Sequence, residues 1–353
     1  MAVQTVRVAV AGASGYMGAE VLRLLLRHPH VELTGVTSER LAGEPLAKAY
    51  PHLRGLSDLR FHELDAEWLA TRAEVVILAL PHMESQKIVP VLRRRRVKAI
   101  DLSADYRLHD VNDYKTWYKA EHTDAEGLAD AVYGLPELHR KAIAAASLVA
   151  APGCYPAGAI LAVAPLLKQG LARVEGIVID GKSGVTGAGA QGRNVDPMYL
   201  YTEANENLQA YAVASHRHTP EIEQELSALA GAPVRVTFTP HLVPLNRGLF
   251  TTAVVPLATS LTTSELLAGY REFYGGEPFV RVLDEGERPT TRAVVGSNFC
   301  DVTVVAAPRT GRAVCLSALD NLGKGGAANG VHTLNLLCGW SERTGLEAPP
   351  VYP

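Results

Sequence analysis

About thirty residues near the amino end leave this chain little choice of architecture. Val6-Arg-Val-Ala-Val-Ala11 is a short β-branched run of the kind used by buried parallel strands. Gly12-Ala-Ser-Gly-Tyr-Met-Gly18 follows at once, and Ala19, Val21, Leu22, Leu25 and Leu26 then carry a helical rhythm as far as His28-Pro29. Val31–Thr37 reads as a second strand. A strand, a glycine loop, a helix and a strand in this compass is the dinucleotide-binding layout. Glycines let the backbone approach a pyrophosphate, and the helix start offers N–H donors and the positive end of its dipole. The candidate loop residues are Gly12, Ser14, Gly15, Tyr16, Met17 and Gly18, spaced GxxGxxG rather than GxGxxG. The end of the second strand, Ser38-Glu39-Arg40, selects the nucleotide. Glu39 suits the ribose hydroxyl of NAD, whereas Arg40 with Ser38 suits the 2′-phosphate of NADP, and a dianion favours the second choice. An ordinary exposed turn is the plain alternative.

The remainder of the amino-terminal half continues the α/β alternation. Ala42–Leu59 reads as a loop, Trp68 as part of a short helix, and Glu74–Leu80 and Val97–Leu102 as strands. The block Arg93–Arg96 falls at a helix end, where cations offset the dipole, and no aromatic platform beside it suggests nucleic acid. Arg107 follows a strand end, the place where open α/β sheets bind ligands, and is a candidate for an anionic group. A surface ion pair with Asp105 or Asp110 is its bland reading. Composition sets the outer limits. The 353 residues suffice for two domains, and 47% hydrophobic with 20% charged residues describes a globular protein with a large core. A net charge of −3 offers no general attraction to nucleic acid or anionic lipid. No apolar run reaches the roughly 20 residues of a membrane span. Four cysteines, at 154, 300, 315 and 338, lack metal-like spacing and read as cytoplasmic thiols.

The second half changes rhythm at Ala151-Pro-Gly-Cys-Tyr-Pro156, where one cysteine stands between two prolines just before a helical pattern over Gly158–Lys168. A thiol at a helix mouth is favoured as thiolate and can act as a nucleophile, although most cysteines are small buried hydrophobes. Strand-like segments then outnumber helices, so a mostly antiparallel sheet with helices on one face is expected. Gly181–Gly192 holds too many glycines for a regular element and reads as a mobile loop, with Lys182 and Ser183 at a strand end. Lys182 suits phosphate or carboxylate, or is simply an exposed loop lysine. In His216-Arg-His-Thr-Pro-Glu-Ile222, Thr219 looks like an N-cap with Pro220 at the first helical position. That puts a histidine beside a positive helix end, poised to stay neutral and act as a base. His218 is preferred, His216 stays open as the alternative, and no metal is expected from a pair without a third ligand.

Several blocks together resemble the N-acetyl-gamma-glutamyl-phosphate reductase family. They are the glycine loop, Ser38-Glu-Arg40, Asp101–Arg107, Pro152–Pro156, Lys182-Ser-Gly184, His216–Ile222, Gly296–Cys300 and Asp320-Asn321. The sequence departs from the family pattern at Met17, Ala151 and Gly323, none of them a reacting group. The resemblance implies a glyceraldehyde-phosphate-dehydrogenase-like plan. Residues 1–152, completed by a C-terminal helix over 322–353, would bind NADP, and 153–321 would form an α+β catalytic and oligomerisation domain. It implies NADPH-dependent reduction of N-acetyl-L-glutamyl 5-phosphate to the 5-semialdehyde in arginine biosynthesis, through a Cys154 thioester. It further implies Asn321 at the nicotinamide, Arg107, Lys182, Ser183 and Glu221 toward the substrate, and a homodimer or homotetramer. Three other functions fit less well: a reductase of an acyl phosphate on a carrier protein, an aspartate-semialdehyde dehydrogenase, and a non-catalytic NADP sensor.

Overall fold

The structure, a computed structural model, describes residues 5–190 and 196–352. The chain divides into two compact units, Met1–Pro152 with Gly326–Ala348, and Gly153–Gly325 with Pro349–Pro353. The segment returning to the first unit is thus narrower than the expected 322–353. The chain end is held elsewhere, by the Val351 backbone N–H donating to the Val295 carbonyl at 2.8 Å.

In the first unit, strands β1 (Val6–Ala11), β2 (Val31–Thr37), β3 (Phe61–His62), β4 (Val75–Leu78), β5 (Lys98–Asp101), β6 (Val132–Tyr133) and β7 (Leu148–Ala150) form one sheet. The order is β3-β2-β1-β4-β5-β7-β6, and every pair is parallel. Order reverses between β1 and β4, which opens a crevice at the carboxyl ends of these strands. Val8, Val10, Val76, Ile77 and Ile100 are fully buried, the reason these strands read as continuous apolar runs rather than alternating ones. The helix around Trp68 spans Ala66–Arg72, and the Asp65 carboxylate caps it by accepting from the backbone N–H groups of Glu67 and Trp68 at 2.8 and 3.0 Å. Helix Ser85–Arg94 ends at the arginine block. There Arg93 pairs with Asp130 and Glu126, and Arg95 with Glu67.

The second unit carries β8 (Ile177–Ser183), β9 (Gln209–Ala210), β10 (Val236–Leu242), β11 (Leu249–Pro256), β12 (Val280–Val282), β13 (Cys300–Ala307) and β14 (Arg312–Leu319). Their order is β12-β13-β14-β11-β8-β10-β9, antiparallel except at β12–β13 and β8–β10. Helix Cys154–Lys168 lies on one face of this sheet and is buried nearly all round, which explains its almost unbroken apolar sequence. Gly158 is where it touches down: a Cβ there would stand 2.8 Å from Thr251 Oγ1. The other face presents Val178, Lys182, Phe250, Thr252 and Val254, which remain partly or fully exposed.

Candidate active site

The nucleotide half is built from the β1–helix junction. Gly12 has φ +73° and a Cβ on it would meet the Ala79 carbonyl oxygen at 2.4 Å, so no other residue fits. At Gly18 a Cβ would stand 2.6 Å from Ala13 Cα, and the bare position lets the helix press on the loop. The loop is pinned to the end of β2, because Gly12 N–H donates to Thr37 Oγ1 (3.2 Å) and Ala13 N–H to the Thr37 carbonyl (2.9 Å). Helix Tyr16–Leu25 starts at Gly15 with no side-chain cap, and a Cβ on Gly15 would find nothing nearer than 4.0 Å. Uncapped N–H groups beside open space form an anion cradle, so these residues fit a dinucleotide pyrophosphate. Ser38 Oγ donates to Ser14 Oγ at 2.7 Å, while Arg40 stays exposed. Glu39 is otherwise engaged: its carboxylate accepts from the Leu64 backbone N–H at 2.8 Å, which weighs against a ribose contact.

Sequence reasoning missed Tyr50, which lies in the segment read as a plain loop. Residues Leu46–Ala49 there form a short helix, and the hydroxyl of Tyr50 reaches the carbonyls of Gly15 (2.8 Å) and Ala13 (3.1 Å). Burial pushes that phenol well above its usual range, so it is a donor. Arg107 is not on the surface. It is buried, with Nε donating to the Ala151 carbonyl (2.9 Å) and Nη2 to that of Leu102 (3.2 Å). Asp105, its supposed partner, is also buried and accepts from the backbone N–H groups of Met83 and Ser85 while facing His82 Nδ1 at 2.7 Å.

The chemical half lies in the second unit, where two helix starts meet. Cys154 is the first residue of its helix and Gly153 the N-cap. The second helix runs Thr219–Ala230, so the N-cap is His218 itself and Pro220 is one position further in than expected. Thr219 does not cap it; its Oγ1 is buried without a hydrogen-bond partner. The His216 and His218 rings lie 4.7 Å apart, and the Tyr155 ring is 5.7 Å from the first and 6.0 Å from the second. His216 is buried, and burial plus the charge of Arg217 hold it down to about 4, so it is neutral near pH 7. Its Nδ1 accepts the His218 backbone N–H at 3.2 Å, which leaves the proton on Nε2. The half-exposed His218 is therefore the better-placed acid–base group.

Three expected ligand residues make contacts within the second unit. Glu221 is fully buried and its carboxylate accepts from the Gly153 backbone N–H at 2.8 Å. Lys182 lies within β8 on the face away from the Cys154 helix, its Nζ near the Asp180 carbonyl (3.2 Å) and Thr252 Oγ1 (3.4 Å). Strand alternation explains this: Gly181 and Ser183 take the helix side, and a Cβ on Gly181 would meet the Tyr155 ring at 2.4 Å. Asn321 is buried, accepting from Gly248 N–H (2.8 Å) and donating to Thr186 Oγ1 (2.9 Å). The glycine stretch is correspondingly less loose than expected. Gly181–Ser183 belong to β8, and Val185–Ala188 form a 3-10 turn whose Val185 N–H donates to the Leu245 carbonyl at 2.9 Å. Gln191 and Gly192 lie outside the described residues. Arg247, another residue not singled out, pairs with the buried Asp320 at 2.8 Å. That carboxylate also accepts from the N–H groups of Gly296, Leu322 and Gly323. Gly323–Ala327 form a π-helical turn, a geometry frequent at functional sites. A Cβ on its Gly325 would meet Cys154 Cβ at 2.7 Å. No group of three or more metal-ligating side chains gathers among the described residues, and no helix there is long and apolar enough to cross a membrane.

A glycine-cradled Rossmann unit followed by a cysteine-bearing mixed-sheet unit defines the semialdehyde dehydrogenase class. Residues 7–146 match the family model for the semialdehyde dehydrogenase NAD-binding domain, and residues 154–321 that for its dimerisation domain. A reductase from Moorella thermoacetica is 49% identical over 348 residues, covering 99% of this chain and all of its own length. One from Desulforudis audaxviator is 50% identical with the same coverage. Both are N-acetyl-gamma-glutamyl-phosphate reductases, and this chain belongs to that family. The fold extends further. Aspartate semialdehyde dehydrogenase II of Vibrio cholerae, complexed with ASA, superposes with a TM-score of 0.73 at 19% identity, covering 95% of this chain and 99% of its own. The Candida albicans enzyme with NADP gives 0.70 at 15% identity, covering 95% and 99%.

Proposed function

We propose that this chain reduces N-acetyl-L-glutamyl 5-phosphate to N-acetyl-L-glutamate 5-semialdehyde and phosphate in arginine biosynthesis, with NADPH as reductant. The observation that carries the chemistry is Cys154 at the first position of a buried helix, next to a second helix that opens at His218. The dipole of the first helix favours the thiolate. His218 takes the thiol proton, and the thiolate attacks the acyl-phosphate carbon. The carbon–oxygen bond to phosphate breaks, phosphate leaves with the electron pair, and a thioester remains on Cys154. NADPH, when bound, supplies the hydride that this thioester needs. His218 then gives its proton to the oxygen of the reduced carbon and takes it back as the carbon–oxygen double bond re-forms, and the carbon–sulfur bond breaks to release aldehyde and the Cys154 thiolate.

For the cofactor, the Gly12–Gly18 loop would hold the pyrophosphate, and Ser14, Ser38 and Arg40 the 2′-phosphate, with Tyr16 and Met17 flanking the cradle. Asn321 fixes the Thr186 turn and the Gly248 amide, so its role toward the nicotinamide is to shape the surroundings. Arg107 remains a candidate for the substrate anion, and Ser183 lies on the same sheet face as Tyr155. The half-exposed face of the second sheet, within the span matching a dimerisation domain, supports a homodimer or homotetramer. All four cysteines are thiols, which supports a cytoplasmic site of action. The decisive assay supplies NADP+, phosphate and N-acetylglutamate 5-semialdehyde and follows NADPH absorbance. Wild type should turn over and Cys154→Ala should not; turnover only with a carrier-bound substrate would reassign the substrate.

A further inference from the structure

Glu221 stands apart from the acid–base machinery yet touches the nucleophile's own helix. It comes from the first turn of Thr219–Ala230, is fully buried, and accepts the Gly153 N–H at 2.8 Å. Gly153 is the N-cap, and the N-cap amide is one of the four donors a helix cannot satisfy internally. Within one helix, a Glu three residues on closes that amide in a capping box. Here a carboxylate from another helix, 68 residues away in sequence, performs the same closure. It cancels part of the positive end of the helix one residue from Cys154.

We propose that Glu221 is a positioning residue for the nucleophile, clamping the N-cap amide of the Cys154 helix and opposing ionisation of that thiol, rather than a ligand of the substrate. The inference rests on Cys154 being the reactive cysteine. Two further facts support it. The hydrogen bond is made by backbone, so it fixes where the helix begins whatever side chain follows. The other titratable groups around this point are Tyr155 on the Cys154 helix, Tyr211 facing it (3.3 Å between hydroxyls), His216 and His218 before the second helix, Glu225 one turn into it, and Lys324 in the π-helical turn against Cys154. Among them Glu221 alone is bonded to the N-cap amide of the Cys154 helix.

The test measures iodoacetamide alkylation of Cys154 against pH without substrate, by peptide mapping in a Cys338→Ser background, since Cys300 and Cys315 are buried. Glu221→Gln keeps an acceptor and removes the charge. Its alkylation midpoint should fall by about one pH unit with the plateau rate kept. Glu221→Ala should lower the midpoint and also reduce the plateau rate several-fold, because the helix start is loosened. A merely structural role would lower melting temperature in both variants without moving either midpoint, and coincident wild-type and Glu221→Gln profiles would overturn the proposal. Absence of any Cys154 labelling in wild type would instead overturn the nucleophile reading, and this inference with it.

Discussion

Two histidines 4.7 Å apart have opposite assignments because one is buried and one is not. His218→Asn should reduce kcat by roughly 10²–10⁴-fold, the usual worth of a positioned acid–base group, in a steady-state assay. His216 shows its environment through stability instead. Its folded-state value of about 4 lies below the ordinary 6.5, so the folded protein binds fewer protons than the unfolded chain between those limits. Stability from this site is present above pH 6.5, is lost as pH falls, and has gone by about 4, for a total of roughly 3 kcal/mol. Denaturant melts at pH 7 and pH 5 should show a smaller acid loss for His216→Gln than for wild type; equal losses would contradict it. Cys154, Gly12 and Gly18 were legible in sequence because covalent geometry and near neighbours dictate them. Glu221 against Gly153, Tyr50 against Gly15 and Arg247 against Asp320 were not, since each pair is brought together by the fold across 35 to 73 residues.

Helices in this molecule are placed by residues that are missing a side chain as much as by those that have one. Gly158 seats the Cys154 helix on β11, and Gly158→Val should cost about 1–3 kcal/mol through overpacking, read as a lower melting temperature. At Gly325 the neighbour is the nucleophile's own Cβ, so Gly325→Ala should depress turnover far more than it depresses stability. Comparing kcat with the thermal midpoint separates the two effects, and a proportionate loss of both would refute the distinction. Element type was readable where periodicity ran long, as in β1, β2 and the helix between them. Boundaries slipped where packing overruled composition. Gly181 sits inside a strand despite its glycine-rich surroundings, because the Tyr155 ring occupies the space of the missing Cβ. The His218 helix starts one residue earlier than its Thr-Pro signal suggests, since Thr219 turns its hydroxyl inward instead of capping.

On the scale of the whole chain, the two-unit plan followed from a change of rhythm after Cys154, whereas the return of the last helix to the first unit came from the family resemblance and not from periodicity. Helix Ala328–Leu337 returns to the first unit, where Asn329 Nδ2 donates to the Gly134 carbonyl at 2.7 Å and Lys98 Nζ to that of Leu337 at 2.8 Å. Truncation after Gly325 should therefore abolish NADP binding measured by fluorescence titration, although the glycine loop itself is intact. Removal of Pro349–Pro353 alone should leave cofactor affinity within about twofold, because those residues group with the other unit. This discontinuity also has a bearing on synthesis. A ribosome makes the glycine loop before Gly153–Gly325 and the helix that completes its domain after them. The nucleotide-binding unit is thus incomplete while those residues are made, and an arrested nascent chain can hold every residue proposed for chemistry while lacking the helix that completes the place to bind its reductant.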